Sequence, residues 1–260
     1  MSTVSITAMR KTEIWQCNSG MMGMNCSKIS QYALIAISVW MIIFSGQALM
    51  GSLYSNVVHL EIERLDQSDH QITDDALAQL NQFKDRMLSW DDGNPENLSM
   101  AAYTALLNSF AAKGFAREQY LQQSDHYNWQ SIRRRPLFPD GYTQETELLA
   151  LWEKPFDEVV RVLNMAETFG PYEKYTAETA LNVLFKYWAQ LSQQQRLNAI
   201  HYMTAHEKYG LKRWRLNEIF KVSPYKQQFC SLAIFIRLPL WTCGNLSDAA
   251  RNAPRSQKGV

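Results

Sequence analysis

The sequence predicts an all-α protein: one N-terminal transmembrane helix, then an antiparallel helical-hairpin solenoid of tetratricopeptide-like character. Three observations point there. The first is the stretch Tyr32–Leu53, twenty-two residues without a charge. It is long enough to cross a bilayer, where only a helix can satisfy its own backbone. The second is composition: 11 Gly and 8 Pro in 260 residues, with no long alternating Val/Ile/Thr run to support strands. The third is a recurrent set of helix starts and stops through the rest of the chain.

The charges around the apolar stretch set its expected orientation. Arg10, Lys11 and Lys28 precede it against Glu13 alone, whereas Glu61, Glu63, Asp66, Asp69, Asp74 and Asp75 follow it with only Arg64. Lys and Arg beside a membrane helix stay cytoplasmic. Residues 1–31 are therefore expected to be a cytoplasmic mobile arm, 32–54 the membrane helix, 55–247 a periplasmic helical-repeat domain and 248–260 a disordered tail. Met21, Met22 and Met24 offer alternative starts within the arm. Tyr32 and Tyr54 suit the interfacial belt. The competing reading is a signal peptide cut near Gly46-Gln47-Ala48, a small-x-small site. The arm would then be long for such a segment, and the apolar run continues past the cut to Leu53. Ala48 and Ser52 have the small-xxx-small spacing of helix pairing.

The exported part holds enough residues for a sizeable core. Residues 55–67 continue the membrane helix outward. Thr73 caps a helix with Asp74 and Asp75 in its first turn, and Ala76, Leu80, Phe83, Met87 and Trp90 form its apolar stripe. Asp91-Asp92-Gly93 ends it. Asn94 and Pro95 open the next, with Leu98, Ala102, Ala105, Leu106 and Phe110, closing at Gly114. A third helix runs from about Arg117 to Arg134. A fresh pair begins at Asp140 and breaks at Lys154-Pro155, its second member stopping at Gly170-Pro171. A further pair holds Ala177 to Trp188, then Ser192 to Gly210, the latter with Leu197, Ile200 and Met203 inward. Successive hairpins start about 35–40 residues apart, the tetratricopeptide range. Phe229 to Trp241, too short and too broken to span a membrane, reads as a terminal helix capping the stack. An ordinary irregular bundle is the alternative.

The four cysteines divide by compartment. Cys17 and Cys26 fall in the arm and are expected to stay reduced, whereas Cys230 and Cys243 fall where disulfides persist. A bridge between the latter two would close a loop worth about 3 kcal/mol in chain entropy. A continuous helix would hold them about 20 Å apart, so the bridge requires the chain to turn back, which Pro239 permits. Two buried free thiols are the other possibility.

No catalytic pattern is present: no nucleophile elbow, glycine-rich phosphate loop or zinc spacing. His201 and His206 are five apart and do not share a helix face, and Asp157 and Glu158 suit a first-turn dipole role. Two carboxylates suffice for glycoside hydrolysis, so that chemistry has no motif to exclude. The chain is read as non-enzymatic, without cofactor or metal. Its formal charge of +1 implies no nucleic-acid partner. Two charged runs are candidate patches. Arg133-Arg134-Arg135 would hold an anionic sugar or headgroup, or merely complement a helix C-terminus. Lys212-Arg213-Trp214-Arg215 would be a sugar-stacking or headgroup site, or a solvated face around one anchoring Trp.

From Arg134 to about Tyr202 the chain resembles the VpsP-type accessory proteins of exopolysaccharide biosynthesis in Gram-negative bacteria. The matching residues are Arg135-Pro136-Leu137-Phe138-Pro139, Tyr142, Leu148 to Leu151, Lys154-Pro155-Phe156-Asp157-Glu158 and Gly170-Pro171-Tyr172-Glu173. The family usually has Trp at Tyr172 and Gly-Glu at Lys154-Pro155. These are helix-boundary signals and carry no chemistry. The resemblance implies a membrane helix, an exported tetratricopeptide-like domain and a scaffold role in making or exporting surface or matrix polysaccharide. The implied partners are the bilayer, proteins of a synthesis and export complex, and the polysaccharide itself. Two other readings remain: an adaptor of another envelope machine, for secretion or cytochrome maturation, and a glycan-modifying enzyme.

Overall fold

A computed structural model describes residues 26–67 and 73–244; the expected tail and all of the arm before Cys26 lie outside the described residues. The described chain is helical, with no strand among the described residues. Its ten α-helices are α1 (Cys26–Gln67), α2 (Asp74–Trp90), α3 (Pro95–Ala111), α4 (Gly114–Arg134) and α5 (Pro139–Leu151). They continue with α6 (Phe156–Phe169), α7 (Lys174–Lys186), α8 (Gln193–Thr204), α9 (Arg213–Val222) and α10 (Lys226–Phe235).

The chain divides into two compact units, one up to Gly46 and one from Gln47 onward. The described part of the first is the apolar portion of α1. Ser30–Leu65 is long and apolar enough to cross a membrane, and Leu34, Ile35, Trp40, Ile42 and Phe44 are all more than half exposed. The helix begins at Cys26, so the last six residues assigned to the mobile arm are helical. Nothing between Cys26 and Tyr32 breaks a helix, since the stretch holds neither Gly nor Pro.

In the second unit the capping signals act as the sequence predicts. The Thr73 hydroxyl accepts from Ala76 N–H, Asn94 accepts from Glu96 N–H ahead of Pro95, and Ser192 and Gln195 form a reciprocal capping box. The α2 stripe is rotated from the expected one. Leu77, Leu80, Lys84 and Met87 are buried, while Trp90 is exposed. The Lys84 stem covers apolar surface and its ammonium reaches Asp85 at 3.2 Å. On α8 Met203 is buried as expected, whereas Leu197 is exposed and Ala199 and Tyr202 are buried beside Met203.

Three apolar clusters hold this unit. Val58 and Ile62 of α1 pack with Leu77, Leu80 and Met87 of α2 and with Ala101 and Leu107 of α3. Leu106, Leu121 and Leu148 join α3, α4 and α5. The largest cluster runs from Ile132 to Cys243. Within it Phe229 of α10 stacks on Phe185 of α7 and on Phe220 of α9, with ring centroids 3.7 and 4.0 Å away. Consecutive helices pack on one another: α2 on α3, α3 on α4, α4 on α5, α5 on α6, α6 on α7, α7 on α8 and α9 on α10, and α5 also packs on α7. Alternate helices from α3 onward begin at Pro95, Pro139, Lys174 and Arg213, intervals of 44, 35 and 39 residues.

Phe229–Trp241 is not one helix. α10 stops at Phe235, and Arg237 takes the left-handed conformation with φ 59°. Arg237 N–H donates to the Ile234 carbonyl and Leu238 N–H to the Ala233 carbonyl, the Schellman closure of a helix C-terminus. The chain then turns back through Pro239 to a short 3-10 turn at Trp241–Cys243. Cys243 meets Cys230 in a disulfide with Cα atoms 5.4 Å apart. Glu153 closes α5 the same way, with φ 59°.

Candidate functional site

Two concave regions of the second unit gather chemistry-bearing side chains, and α9 contributes to both. The first lies across α5, α7 and α9. Residues three and four apart share a helix face. Glu147, Ala150 and Leu151 therefore line it from α5, Glu178, Asn182 and Lys186 from α7, and Arg215, Glu218 and Ile219 from α9. The volume is about 690 Å³.

The charges of this groove are neutralised from within. Arg215 grips Glu178 with two nearly parallel bonds, Nε to Oε1 at 2.9 Å and Nη2 to Oε2 at 3.1 Å, and reaches Glu218 at 3.4 Å. Hydrogen bonding to Glu178 is the main cause that raises the Arg215 pKa above its ordinary value. Lys174 stands 3.6 Å from the same carboxylate. Lys186 donates to the Ala150 carbonyl at the end of α5, where the helix dipole favours a cation. Glu147 accepts from Tyr175 Oη at 2.7 Å and from Thr179 Oγ1 at 2.6 Å. Burial pushes its carboxyl above the usual range against the pull of those two hydroxyls.

The second groove lies between the start of α9 and the segment that follows α10. Arg213, Trp214, Asn217, Arg237 and Trp241 line it together with apolar residues of 234–240, over about 930 Å³. Asn217 ties its two walls together. Its Nδ2 donates to the Arg213 carbonyl at 2.8 Å and its Oδ1 accepts from Thr242 N–H at 3.1 Å. The disulfide closes the far wall.

The sequence-defined patches are split by the fold. Arg213 and Trp214 enter the second groove and Arg215 the first, while Lys212 is the exposed residue ahead of α9. Arg133, Arg134 and Arg135 do not converge. Arg133 Nε bonds the Trp129 carbonyl at 3.2 Å, and Arg134 donates to the Asp92 carbonyl. Arg135 meets Glu96 at 3.5 Å with its guanidinium 3.9 Å from the centre of the Phe138 ring. The run tethers the end of α4 to the α2–α3 turn and the start of α3.

One titratable group escaped the sequence reading. Glu145 on α5 is fully buried; it accepts from Asn128 Nδ2 at 2.8 Å and from Trp129 Nε1 at 3.2 Å. Burial, reinforced by the neighbouring Asp125 carboxylate, pushes its carboxyl up to about 8. The available signal was its spacing: three residues after Tyr142 and four before Leu149, Glu145 sits within an apolar stripe. Asp157 and Glu158 occupy the first turn of α6, Glu145 and Glu147 lie on different faces of α5, and His206 is buried with Nδ1 2.6 Å from the Leu211 carbonyl. Among the described residues no three His, Cys, Asp or Glu side chains gather closely enough to hold a metal ion. Comparison of the chain with family models, with curated proteins and with solved structures finds no match.

Proposed function

We propose that this protein is a non-enzymatic, inner-membrane-anchored scaffold on the periplasmic side, serving exopolysaccharide biosynthesis and export. The membrane-capable helix, placed before a helical unit with a concave face, is the observation that carries the scaffold. The packing of consecutive helices from α3 to α10, with alternate members starting 44, 35 and 39 residues apart, supports reading that unit as a stack of hairpins. Such stacks bury their faces only against neighbours and present an extended concave surface built by the first helix of each pair. The groove across α5, α7 and α9 is made by three such first helices. Its compensated charges and apolar floor suit a protein segment. The cation-rich arm before the anchor and the acidic stretch after it support the orientation. The Cys230–Cys243 bridge suits an oxidising compartment. The polysaccharide assignment rests on the resemblance over Arg134 to Tyr202.

The test is the yield of extracellular polysaccharide from a strain lacking the chain, with a plasmid copy as control. A loss restored by the plasmid supports the role. An unchanged yield removes it and leaves an adaptor of another envelope complex.

A further inference from the structure

We propose that the groove between the start of α9 and the disulfide-closed segment after α10 binds an acidic saccharide, a chain of sugar units bearing carboxylates. Four side chains carry the site: Trp214 and Trp241 as flat platforms, Arg213 and Arg237 as anion ligands. Both indoles are largely in water, Trp214 at 55% and Trp241 at 65% exposure. An indole offers an apolar face with a donor at its rim. A sugar ring presents the complement, a C–H face edged by hydroxyls.

Arg213 and Arg237 supply the charge. Neither makes an ion pair or a side-chain hydrogen bond with a described residue, and among the described residues no acidic side chain lines the groove. Two guanidinia without a counter-charge favour an anion, and the planar fork of each fits a carboxylate edge-on. The frame around them is fixed in advance. The disulfide, the Asn217 bridge between Arg213 and Thr242, and the Schellman closure at Arg237 hold both walls. A ligand entering such a site orders the four ligand side chains but not the backbone that carries them, which limits the entropic loss on binding.

A glycerophosphate headgroup has similar charge, yet it offers one anionic group and no ring face, so it would leave both indoles of the groove unused. The choice of a saccharide among planar anions rests on the polysaccharide role proposed above; the groove and its unpaired arginines do not.

The experiment is calorimetric titration of the full chain in detergent with hexagalacturonate, maltohexaose and glycerol 3-phosphate. The neutral hexamer is expected to bind at least about tenfold more weakly than the acidic one, the loss of one charge-assisted contact. Arg237→Gly and Trp241→Ala should each weaken hexagalacturonate about tenfold, and Arg133→Gln should leave it unchanged. Gly is at ease at the φ of Arg237, so that variant removes the charge without breaking the turn, as an unchanged melting temperature would verify. No binding of hexagalacturonate overturns the site, as does equal binding of the neutral hexamer, tighter binding of glycerol phosphate, or binding indifferent to both variants. The deletion strain separates this claim from the role it rests on. Binding with an unchanged polysaccharide yield removes the role and keeps the site; a lost yield without binding removes the site and keeps the role.

Discussion

Arg213 and Arg215 stand two residues apart on α9, and the fold uses them in opposite ways. Arg215 turns into the groove across α5, α7 and α9, where Glu178 and Glu218 take its charge. Arg213 turns into the terminal groove, where no acid among the described residues meets it. A helix advances each residue by about 100°, so neighbours in sequence belong to different surfaces. In the first groove the ions are spent on each other and hold α7 to α9. The terminal groove is open chemistry on a rigid frame. A charged run read as one patch is divided by the helix between two grooves.

The comparison can be broken most forcefully at Phe229, whose ring joins α7, α9 and α10. Phe229→Ala should lower stability by about 3–5 kcal/mol, seen as a shifted denaturant midpoint. It should disorganise the terminal groove, since α10 and its following segment hang on that ring. A shift near zero would mean that the stacked rings do not hold the C-terminal helices.

A large effect is also expected from pH. Glu145 titrates near its ordinary 4.5 when unfolded and at about 8 when folded. Its contribution is full below about pH 4.5, shrinks as pH rises toward about 8, and stays lost above that. The wild-type denaturation midpoint should thus fall between about pH 5 and about pH 8, and the Glu145→Gln chain should show a flatter profile. Parallel profiles would mean that Glu145 is ionised in the fold.

Replacing Cys230 and Cys243 together by Ser should cost about 3 kcal/mol, in the chain-entropy account of a short loop. Smaller again is Arg215→Met, expected to destabilise by about 1 kcal/mol because it strips Glu178 of its bidentate partner at a half-open surface. Arg213→Met should stay within about 0.5 kcal/mol, as for an exposed side chain with no ion pair to a described residue. Equal losses from the two substitutions would erase the distinction between the grooves.

Helix ends were the most legible part of the sequence. Thr73, Asn94-Pro95 and Ser192 act through bonds to backbone two or three residues away, and Gly170 ends α6 where an added Cβ would lie 2.6 Å from Pro139 Cβ. The faces were less so. α3 buries residues nearly all round, and the α2 and α8 stripes sit a step away from their apolar patterns, because neighbours on either side decide which turn is covered. The terminal segment was misread as a single helix. Its apolar content satisfies a helix, and only the partners of Cys243 and Asn217 dictate where it turns. The first groove was invisible for the same reason: Glu147, Glu178 and Arg215 come from three helices spread over about seventy residues.

The proposed arrangement, an anchor followed by an exported helical unit, is tested most directly by counting thiols on the full chain in intact cells. After denaturation, free thiols are tagged with a heavy maleimide, with and without prior reduction, and counted on a gel. An uncleaved anchor with an oxidised C-terminal domain predicts two tags, on Cys17 and Cys26, rising to four on reduction. Four tags without reduction would contradict the account, because Cys230 and Cys243 would then be free thiols in a reducing compartment.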